Sequence, residues 1–184
     1  MNSTDVLADA FGRVVDDVHR AVDGLDLDAL HLRLDPDANS VAWLVWHLAR
    51  VQDDHVADLA GTEQVWTADG WAGRFDLPFD VAAMGFGQSS DDVARVRVDD
   101  PALLTGYLDA VHERTLAYLR TLGDDDLDTV VDDAWDPPVT RGIRLISVVD
   151  DDIQHAGQAA FVAGVARRRR PGRPNRSAHD CLDH

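Results

Sequence analysis

Residues 141–166 have the sequence RGIRLISVVDDDIQHAGQAAFVAGVA, and this stretch decides the fold. Three consecutive aspartates at 150–152 and a histidine, His155, interrupt a largely apolar segment. The apolar positions recur at helical spacing; they include Leu145, Val149, Ala156 and Ala163. Charge in an apolar helix is costly unless it is paired, bound to a metal or turned to water. The stretch therefore predicts a long helix that carries a polar site.

The three aspartates cannot all face solvent. At about 100° per residue they spread over about 200° of the helix surface. On this wheel Asp152 points most nearly inward, Asp151 lies on the far flank, and His155 falls between them. N-capping does not explain the cluster, because it lies about ten residues after the expected start of the helix. At least one aspartate must therefore approach the apolar face.

Three more segments have helical periodicity, with candidate cap residues before two of them and a glycine after each. The four predicted helices cover residues 4–22, 40–59, 101–121 and 141–168. The candidate N-caps are Ser3 or Thr4, Asn39 or Ser40, and Thr140. The alternation in RVRV at 95–98 is too weak to predict a strand. The pattern is typical of an all-α four-helix bundle.

Helices 2 and 3 are separated by a long crossover, residues 61–99. It contains one helix-like piece, SDDVARV, with Ser89 or Ser90 as its cap. Its aromatic residues are Trp66, Trp71, Phe75, Phe79 and Phe86. A connection this long in a compact domain is usually functional or a sign that the elements have been misassigned. Because of its aromatic residues, we expect it to pack over the bundle as a lid. Residues 124–139 are predicted to form a loop with one helical turn.

One domain accounts for residues 1–168, since a chain of 184 residues can build a single core. From Arg167 the sequence changes to RRRRPGRPNRSAHDCLDH. A segment this polar, with two prolines, cannot build a hydrophobic core. We therefore predict a flexible tail at residues 169–184.

The composition is strongly acidic, with 32 Asp, two Glu, 17 Arg, no Lys and a net charge of −17. Such a chain repels nucleic acid and anionic membranes, so neither is an expected partner. No apolar run approaches the roughly 18 residues of a membrane span, and the N-terminus does not resemble a signal peptide. The single cysteine, Cys181, excludes an internal disulfide. These features predict a cytoplasmic protein.

Asp151 and His155 are four residues apart, so both can reach one ion from a single helix face. Asp152 and His155, three apart, satisfy the same condition. A third ligand would come from another helix, where His47 lies in VAWLVWHLA after Trp43 and Trp46. A core histidine and a solvated acidic face are the plainer alternatives. Spacing alone leaves the choice between Asp151 and Asp152 open.

Two of these stretches also carry a family resemblance. VAWLVWHLARVQDDHVADLAG (41–61) and SVVDDDIQHAGQAAF (147–161) resemble the DinB-like superfamily. The similarity is greatest to short bacterial proteins related to the N-terminal domain of the mycothiol-dependent maleylpyruvate isomerase. GTEQVWTADGWAGRFDLPF (61–79) is a weaker match. The resemblance extends over about residues 4–168.

The resemblance implies a four-helix bundle, often dimeric, that binds a divalent metal through three side chains. The implied ligands are His47, Asp151 and His155. Relatives often have His or Glu where this chain has Asp151; the shorter Asp needs closer helices or a shifted metal. Asp152 therefore remains a rival for the carboxylate ligand.

Two histidines and one carboxylate leave an open coordination position, as catalytic metal sites do. Zinc is the expected metal, with iron or nickel as alternatives. Several relatives are thiol S-transferases, which implies transfer of a low-molecular-weight, mycothiol-like thiol to an electrophilic small molecule. Maleylpyruvate isomerisation is less expected, because those relatives usually carry an additional C-terminal domain.

Two alternative functions remain, one that uses the same three metal ligands and one that needs no metal. One is a non-catalytic metal-binding protein for stress or sequestration. The other is a metal-free bundle whose polar residues only specify helix packing. Among the remaining polar residues, Asp54, His55 and Gln158 are candidates for contact with the site or its ligand. Arg141 and Arg144 could attract an anionic thiol.

Overall fold

A computed structural model describes residues 2–169. In chain order its helices are α1 (Ser3–Val22), α2 (Leu27–Leu30), α3 (Val41–Ala60), α4 (Val65–Ala68), α5 (Trp71–Phe75), α6 (Ser90–Arg95), α7 (Pro101–Leu119) and α8 (Arg141–Arg169). A 3₁₀ turn (Asp124–Asp128) precedes two short antiparallel strands, β1 (Val130–Asp132) and β2 (Val139–Thr140). The four long helices are α1, α3, α7 and α8, and the prediction of an all-α fold is confirmed.

The bundle is closed because α7 and α8 each pack against both α1 and α3. Its interior is filled mainly by large aliphatic and aromatic side chains. Among the side chains removed entirely or almost entirely from solvent are Phe11, Trp46, Leu48, Leu104 and Leu145. Burial of such side chains stabilises the fold by about 1.5–3 kcal/mol each.

The helix ends follow local capping rules, with one correction. Ser40 caps α3 by accepting a hydrogen bond from the backbone of Trp43 at 3.1 Å, and Gly61 ends it in the left-handed region at φ 64°. The N-cap of α1 is Asn2, not Ser3 or Thr4. Asn2 is favoured because its backbone N–H donates to the carboxylate of Asp5, three residues on, while its side chain accepts from the Asp5 backbone N–H. These two hydrogen bonds form a capping box.

The crossover between α3 and α7 contains three short helices, α4, α5 and α6, where the sequence predicted one. Trp66, Trp71 and Phe75 are buried against the bundle, and Phe79 is partly buried against it. Phe86 differs, since 92% of it is exposed. Four of the five aromatic residues therefore hold the crossover on the bundle.

The prediction for residues 124–139 was partly wrong. A short helical turn is present at Asp124–Asp128, but β1 and β2 then form a small hairpin. Contacts with the start of α8 hold this hairpin: the backbone N–H of Arg141 donates to the Thr129 carbonyl at 2.8 Å, and Arg144 pairs with Asp132 at 3.2 Å. Such non-local contacts leave no periodic signal in a three-residue strand.

The predicted tail, 169–184, lies outside the described residues except for Arg169, which ends α8. Within residues 2–169, no helix is both long and apolar enough to span a membrane.

Candidate metal centre

The candidate site lies between α3 and α8, which run in opposite directions. Leu44 near the start of α3 shares a cavity with Val162 near the end of α8. At the other end of the pair, His55 contacts Arg144 at 3.5 Å. Residues near the middle of both helices therefore face each other.

His47, Asp151 and His155 come together at this position. One potential ligand atom from each lies within 4.8 Å of the other two. The two imidazole rings have centroids 4.7 Å apart and are inclined by 72°. A tetrahedral zinc ion separates its ligand atoms by about 3.4 Å, so small side-chain adjustments bring all three groups onto one ion.

Hydrogen bonds define which nitrogen each imidazole presents. Nδ1 of His47 donates to the carbonyl of Met84 in the crossover. Nδ1 of His155 donates to the carbonyl of Asp151, one turn earlier on α8, at 2.8 Å. A carbonyl can only accept, so each Nδ1 carries the proton. Nε2 of each ring is then left as the ligand atom, the arrangement usual for metal-binding histidines.

Trp43 covers one side of the imidazole pair. Its ring stacks on His47 with centroids 4.5 Å apart and lies 6.2 Å from His155. Its own N–H donates to the side chain of Gln88 at 2.8 Å. The crossover therefore fixes the tryptophan that borders the site.

Electrostatics differ among the three candidate ligands. Burial, together with the neighbouring His155, lowers the pKa of His47 below its ordinary value. Burial also opposes charge on His155, but the carboxylate and the backbone carbonyl of Asp151, both close to the ring, outweigh it and raise the pKa of His155. Burial would raise the pKa of Asp151, yet His155, His47 and His55 bring it below the ordinary value. The site thus pairs an ionised aspartate with His47, whose neutral form is favoured, and with His155, whose protonated form is favoured.

The donor set fits a divalent metal. Two imidazole nitrogens and one carboxylate are ligands that zinc, iron and nickel accept. Oδ2 of Asp151 is buried and accepts no hydrogen bond, although it lies 3.4 Å from Nδ1 of His155. A buried oxygen of this kind normally has a partner, and a metal ion would supply one.

Asp152, the rival ligand, does not join this group. It is fully buried, and neither carboxylate oxygen has a hydrogen-bond partner. Burial and the charge of Asp151 raise its pKa well above the ordinary value. The helical wheel was right that Asp152 points inward, but inward is the apolar core and not the site.

The other candidate residues have partners elsewhere. Asp54 accepts from Gln64 at 2.7 Å. Arg144 pairs with Asp132, and Arg141 donates to the Asp126 carbonyl at 2.8 Å. Both arginines are thus engaged with the segment before α8. His55 lies close enough to lower the pKa of Asp151, and Gln158 lines the neighbouring cavity.

Sequence reasoning missed a buried polar network beside the site. Arg50 and Asp53 on α3, with Tyr107 on α7, are all removed from solvent. The Tyr107 hydroxyl donates to Asp53 at 2.8 Å and lies 3.3 Å from Nη1 of Arg50. The available signal was HLARVQDD at 47–54, where charged residues continue the helix face that carries Trp46.

An all-α bundle with a histidine–aspartate–histidine cluster between two antiparallel helices is a fold that supports a metal centre. Comparison with known families identifies it further: the DinB superfamily pattern matches residues 10–159. This chain therefore belongs to the DinB superfamily.

A solved structure has the same fold. It is the crystal structure of a conserved protein from Enterococcus faecalis, 28% identical in sequence, with a TM-score of 0.86. The alignment covers 92% of this chain and 99% of that protein. No curated protein gives a significant match.

Proposed function

We propose that this protein transfers a low-molecular-weight thiol to an electrophilic small molecule, using a divalent metal held by His47, Asp151 and His155. Zinc is the first candidate, with iron and nickel as alternatives. The observation that carries the proposal is the convergence of these three side chains, with both histidines presenting Nε2. The resemblance to thiol S-transferases within the superfamily supports the choice of reaction.

The chemistry has a simple basis. A bound divalent metal lowers the pKa of a thiol that occupies its open position, and the thiolate is the reactive form. The sulfur would then bond to the electrophilic carbon as the bond from that carbon to its leaving group breaks, for example bromide from monobromobimane, and the thiol proton would pass to solvent. Cys181 is the chain's one cysteine and lies in its polar C-terminal segment, so an external thiol is the natural nucleophile.

The chain's residues have separable roles in this scheme. His47 and His155 present nitrogen ligands, and the negative charge of Asp151 partly offsets that of the metal. Trp43 shields the imidazole pair on one side. The Asp151 side chain is 35% exposed, which supports access for a small molecule from solvent.

A cavity of about 610 Å³ is formed by α8, by Leu44 of α3 and by the segment that precedes α3, and it supports a small-molecule ligand close to the site. None of His47, Asp151 and His155 lines it. This volume is within the usual range for such sites. Gln154 and Gln158 flank His155 in sequence and line the cavity, as do Leu44 and Phe161. Its lining includes the acid Asp37 and no basic side chain. This composition supports an uncharged, hydrogen-bonding thiol over a strongly anionic one.

Metal content tests the site. We expect about one ion per purified wild-type chain and a large loss in both His47→Ala and His155→Ala. Asp150→Asn is the matched control, because Asp150 is exposed on the same helix and its side chain accepts a hydrogen bond from Gln154, away from the site. Wild-type metal content in both histidine variants would contradict the assignment.

Turnover tests the reaction. The metal-loaded protein is incubated with mycothiol, cysteine or glutathione and a generic electrophile, monobromobimane or chlorodinitrobenzene. Metal-dependent adduct formation above the uncatalysed rate supports the transferase. Tight metal binding without turnover of any thiol would favour the alternative, a non-catalytic sequestration protein.

A further inference from the structure

We propose that Arg50 is a positioning residue for His47. Through the crossover segment Ala83–Gly85 it holds the Met84 carbonyl that orients the imidazole. The metal-affinity part of this inference rests on the proposed function, whereas the orientation of His47 can be tested in metal-free protein. Nothing in the helix periodicity marks Arg50 for this role; the contacts do.

Arg50 and His47 hold consecutive carbonyls of the crossover. They lie three residues apart on α3, so their side chains are neighbours on one face. Nε of Arg50 donates to the Ala83 carbonyl at 3.3 Å, and Nδ1 of His47 donates to the carbonyl of Met84. Displacement of Ala83 would therefore also move the acceptor that fixes the His47 ring.

Gly85 shows how closely this segment approaches the imidazole. It has a φ of +98°, and a Cβ added there would lie 2.8 Å from Nδ1 of His47. The same atom would lie 3.0 Å from Trp43 and 3.1 Å from Trp46. The backbone is thus packed directly onto the ring, and only glycine fits without displacement.

The guanidinium of Arg50 is itself held on several sides. Nη1 donates to Gln64 at 2.9 Å and to the Tyr107 hydroxyl at 3.3 Å. The group lies 5.0 Å from the ring centroid of Trp66, and Asp53 is 3.7 Å from Nη1. A planar, multiply bonded guanidinium has little rotational freedom, so it provides a rigid support for the Ala83 carbonyl.

Asp53 anchors the beginning of the same crossover. Its two carboxylate oxygens accept the backbone N–H groups of Val65 and Trp66, at 2.9 and 2.8 Å. The crossover is therefore attached to α3 near its start and again at its middle, by residues of α3 within two turns of each other. Packing alone does not require this, because a buried ion pair is often replaceable as a whole by apolar side chains without loss of stability. The value of Arg50 lies in directed hydrogen bonds.

The test compares Arg50→Met, which keeps most of the volume but removes every donor, with Arg50→Lys, which keeps one donor group. Gly85→Ala perturbs the same contact without touching Arg50. Leu108→Ala is the control, since Leu108 is a fully buried core residue of α7 whose truncation also destabilises the fold. Thermal unfolding confirms that each variant is folded under the assay conditions.

Two readouts separate positioning from general stability. Ring ¹⁵N chemical shifts of His47 in metal-free protein at neutral pH report which nitrogen is protonated. We expect a single Nδ1–H form in the wild type and in Leu108→Ala, and a mixture in Arg50→Met and Gly85→Ala. Chelator competition should show zinc affinity reduced about 10–100-fold in these two variants, with Arg50→Lys intermediate.

An unchanged His47 tautomer in folded Arg50→Met and Gly85→Ala would overturn the proposal. A loss of zinc affinity no greater than that in Leu108→Ala would also overturn it. If Arg50→Met does not fold, Gly85→Ala and Arg50→Lys decide the question by the same criteria. If the wild type binds no zinc, the proposed function fails, but the tautomer measurement still decides the role of Arg50.

Discussion

Asp151 and Asp152 are adjacent in the chain but lie in opposite environments. The Asp151 side chain is 35% exposed and approaches His155 at 3.4 Å, whereas Asp152 is fully buried with no hydrogen-bond partner for either oxygen. A rotation of about 100° along α8 separates the two positions. One aspartate is thus placed to bind an ion, and its neighbour is placed where a carboxylate is least stable.

The first prediction uses three neighbouring aspartates as matched variants. Asp151→Asn should weaken zinc binding by more than the roughly 10–100-fold that loss of an indirect partner costs, because a charged ligand is removed. Asp150→Asn and Asp152→Asn should bind zinc within a few-fold of the wild type. Chelator competition on the three proteins measures this. A larger loss in Asp152→Asn than in Asp151→Asn would reverse the assignment.

The second prediction concerns the stability of the metal-free protein. Above an ordinary aspartate pKa of about 3.9, the unfolded chain releases the Asp152 proton, whereas the folded chain, with its raised pKa, keeps it. The folded state then binds more protons, so this group makes stability fall as pH rises. Asp152→Asn removes that effect and should be more stable than the wild type near neutral pH, by roughly 1–3 kcal/mol.

Urea unfolding at a pH of about 4.5 and of about 7.5 measures the effect. The stability difference between Asp152→Asn and the wild type should be small at the lower pH and larger at the higher one. Asp150→Asn, on the exposed face, controls for the loss of one negative charge from an acidic protein. The idea fails if the two variants have the same pH dependence.

Much of the bundle could be predicted because helical periodicity and capping are local. Ser40 and Gly61 delimit α3 as the sequence indicated, and α8 starts after Thr140 as expected. The cap of α1 was misplaced because Asn2 competes with Ser3 and Thr4, and the reciprocal bond to Asp5 decides among them. Where several neighbouring residues are good N-caps, the hydrogen-bond partners available in the folded structure decide which one caps the helix.

The site could be predicted less completely, for a different reason. Spacing placed His155 and an aspartate on one helix face but could not choose between Asp151 and Asp152. That choice depends on how α8 is rotated against α3, which α1 and α7 also determine. The hydrogen bonds from His47 to the Met84 carbonyl and from Arg50 to the Ala83 carbonyl could not be predicted, because they depend on where an irregular crossover returns to α3.

The third prediction is the pH dependence of metal binding. Metal binds the deprotonated histidine, and Asp151 raises the pKa of His155, so a proton competes with the metal near neutral pH. Zinc affinity should therefore fall as pH is lowered from about 8 to about 6. In Asp151→Asn the affinity should be weaker but the pH dependence shallower, because the His155 pKa is no longer raised by a carboxylate. Chelator competition across this pH range measures the affinity of both proteins. The same change of zinc affinity with pH in the wild type and in Asp151→Asn would contradict the prediction that Asp151 raises the pKa of His155.

The fourth prediction tests how the crossover is attached. Phe75 is 5% exposed and packs against Trp66 and Tyr107, with centroids 5.2 and 5.9 Å away. Phe75→Ala should destabilise the protein by about 3–5 kcal/mol. Phe86, 92% exposed in the same crossover, supplies the matched control, and Phe86→Ala should change stability by less than about 0.5 kcal/mol. Chemical denaturation measures both; similar values would mean that the crossover does not contribute to the core.

The outward face of α8 carries an apolar stripe. Ile143, Ile146, Ile153 and Phe161 are 48–64% exposed, and at 100° per residue they lie within about 80° of one another. Gly157, within the same stripe, has nothing within 4 Å of an added Cβ, so a second helix could approach closely. The exposed Asp150 lies within the same arc, and Phe161 also lines the cavity, so Ile143, Ile146 and Ile153 are the side chains that remain for a partner. Exposed apolar surface of this kind marks interaction sites.

The fifth prediction follows from this stripe: we propose that the protein is a homodimer formed by two copies of α8. A two-fold axis pairs a patch with itself, so one substitution alters both sides of the contact. Ile146→Asp and Ile153→Asp should each convert a dimer into a monomer in analytical ultracentrifugation at about micromolar concentration. Phe86→Asp, a change of equal chemistry at a more exposed site, should leave the dimer intact. A monomeric wild type, or dissociation by Phe86→Asp alone, would exclude this interface.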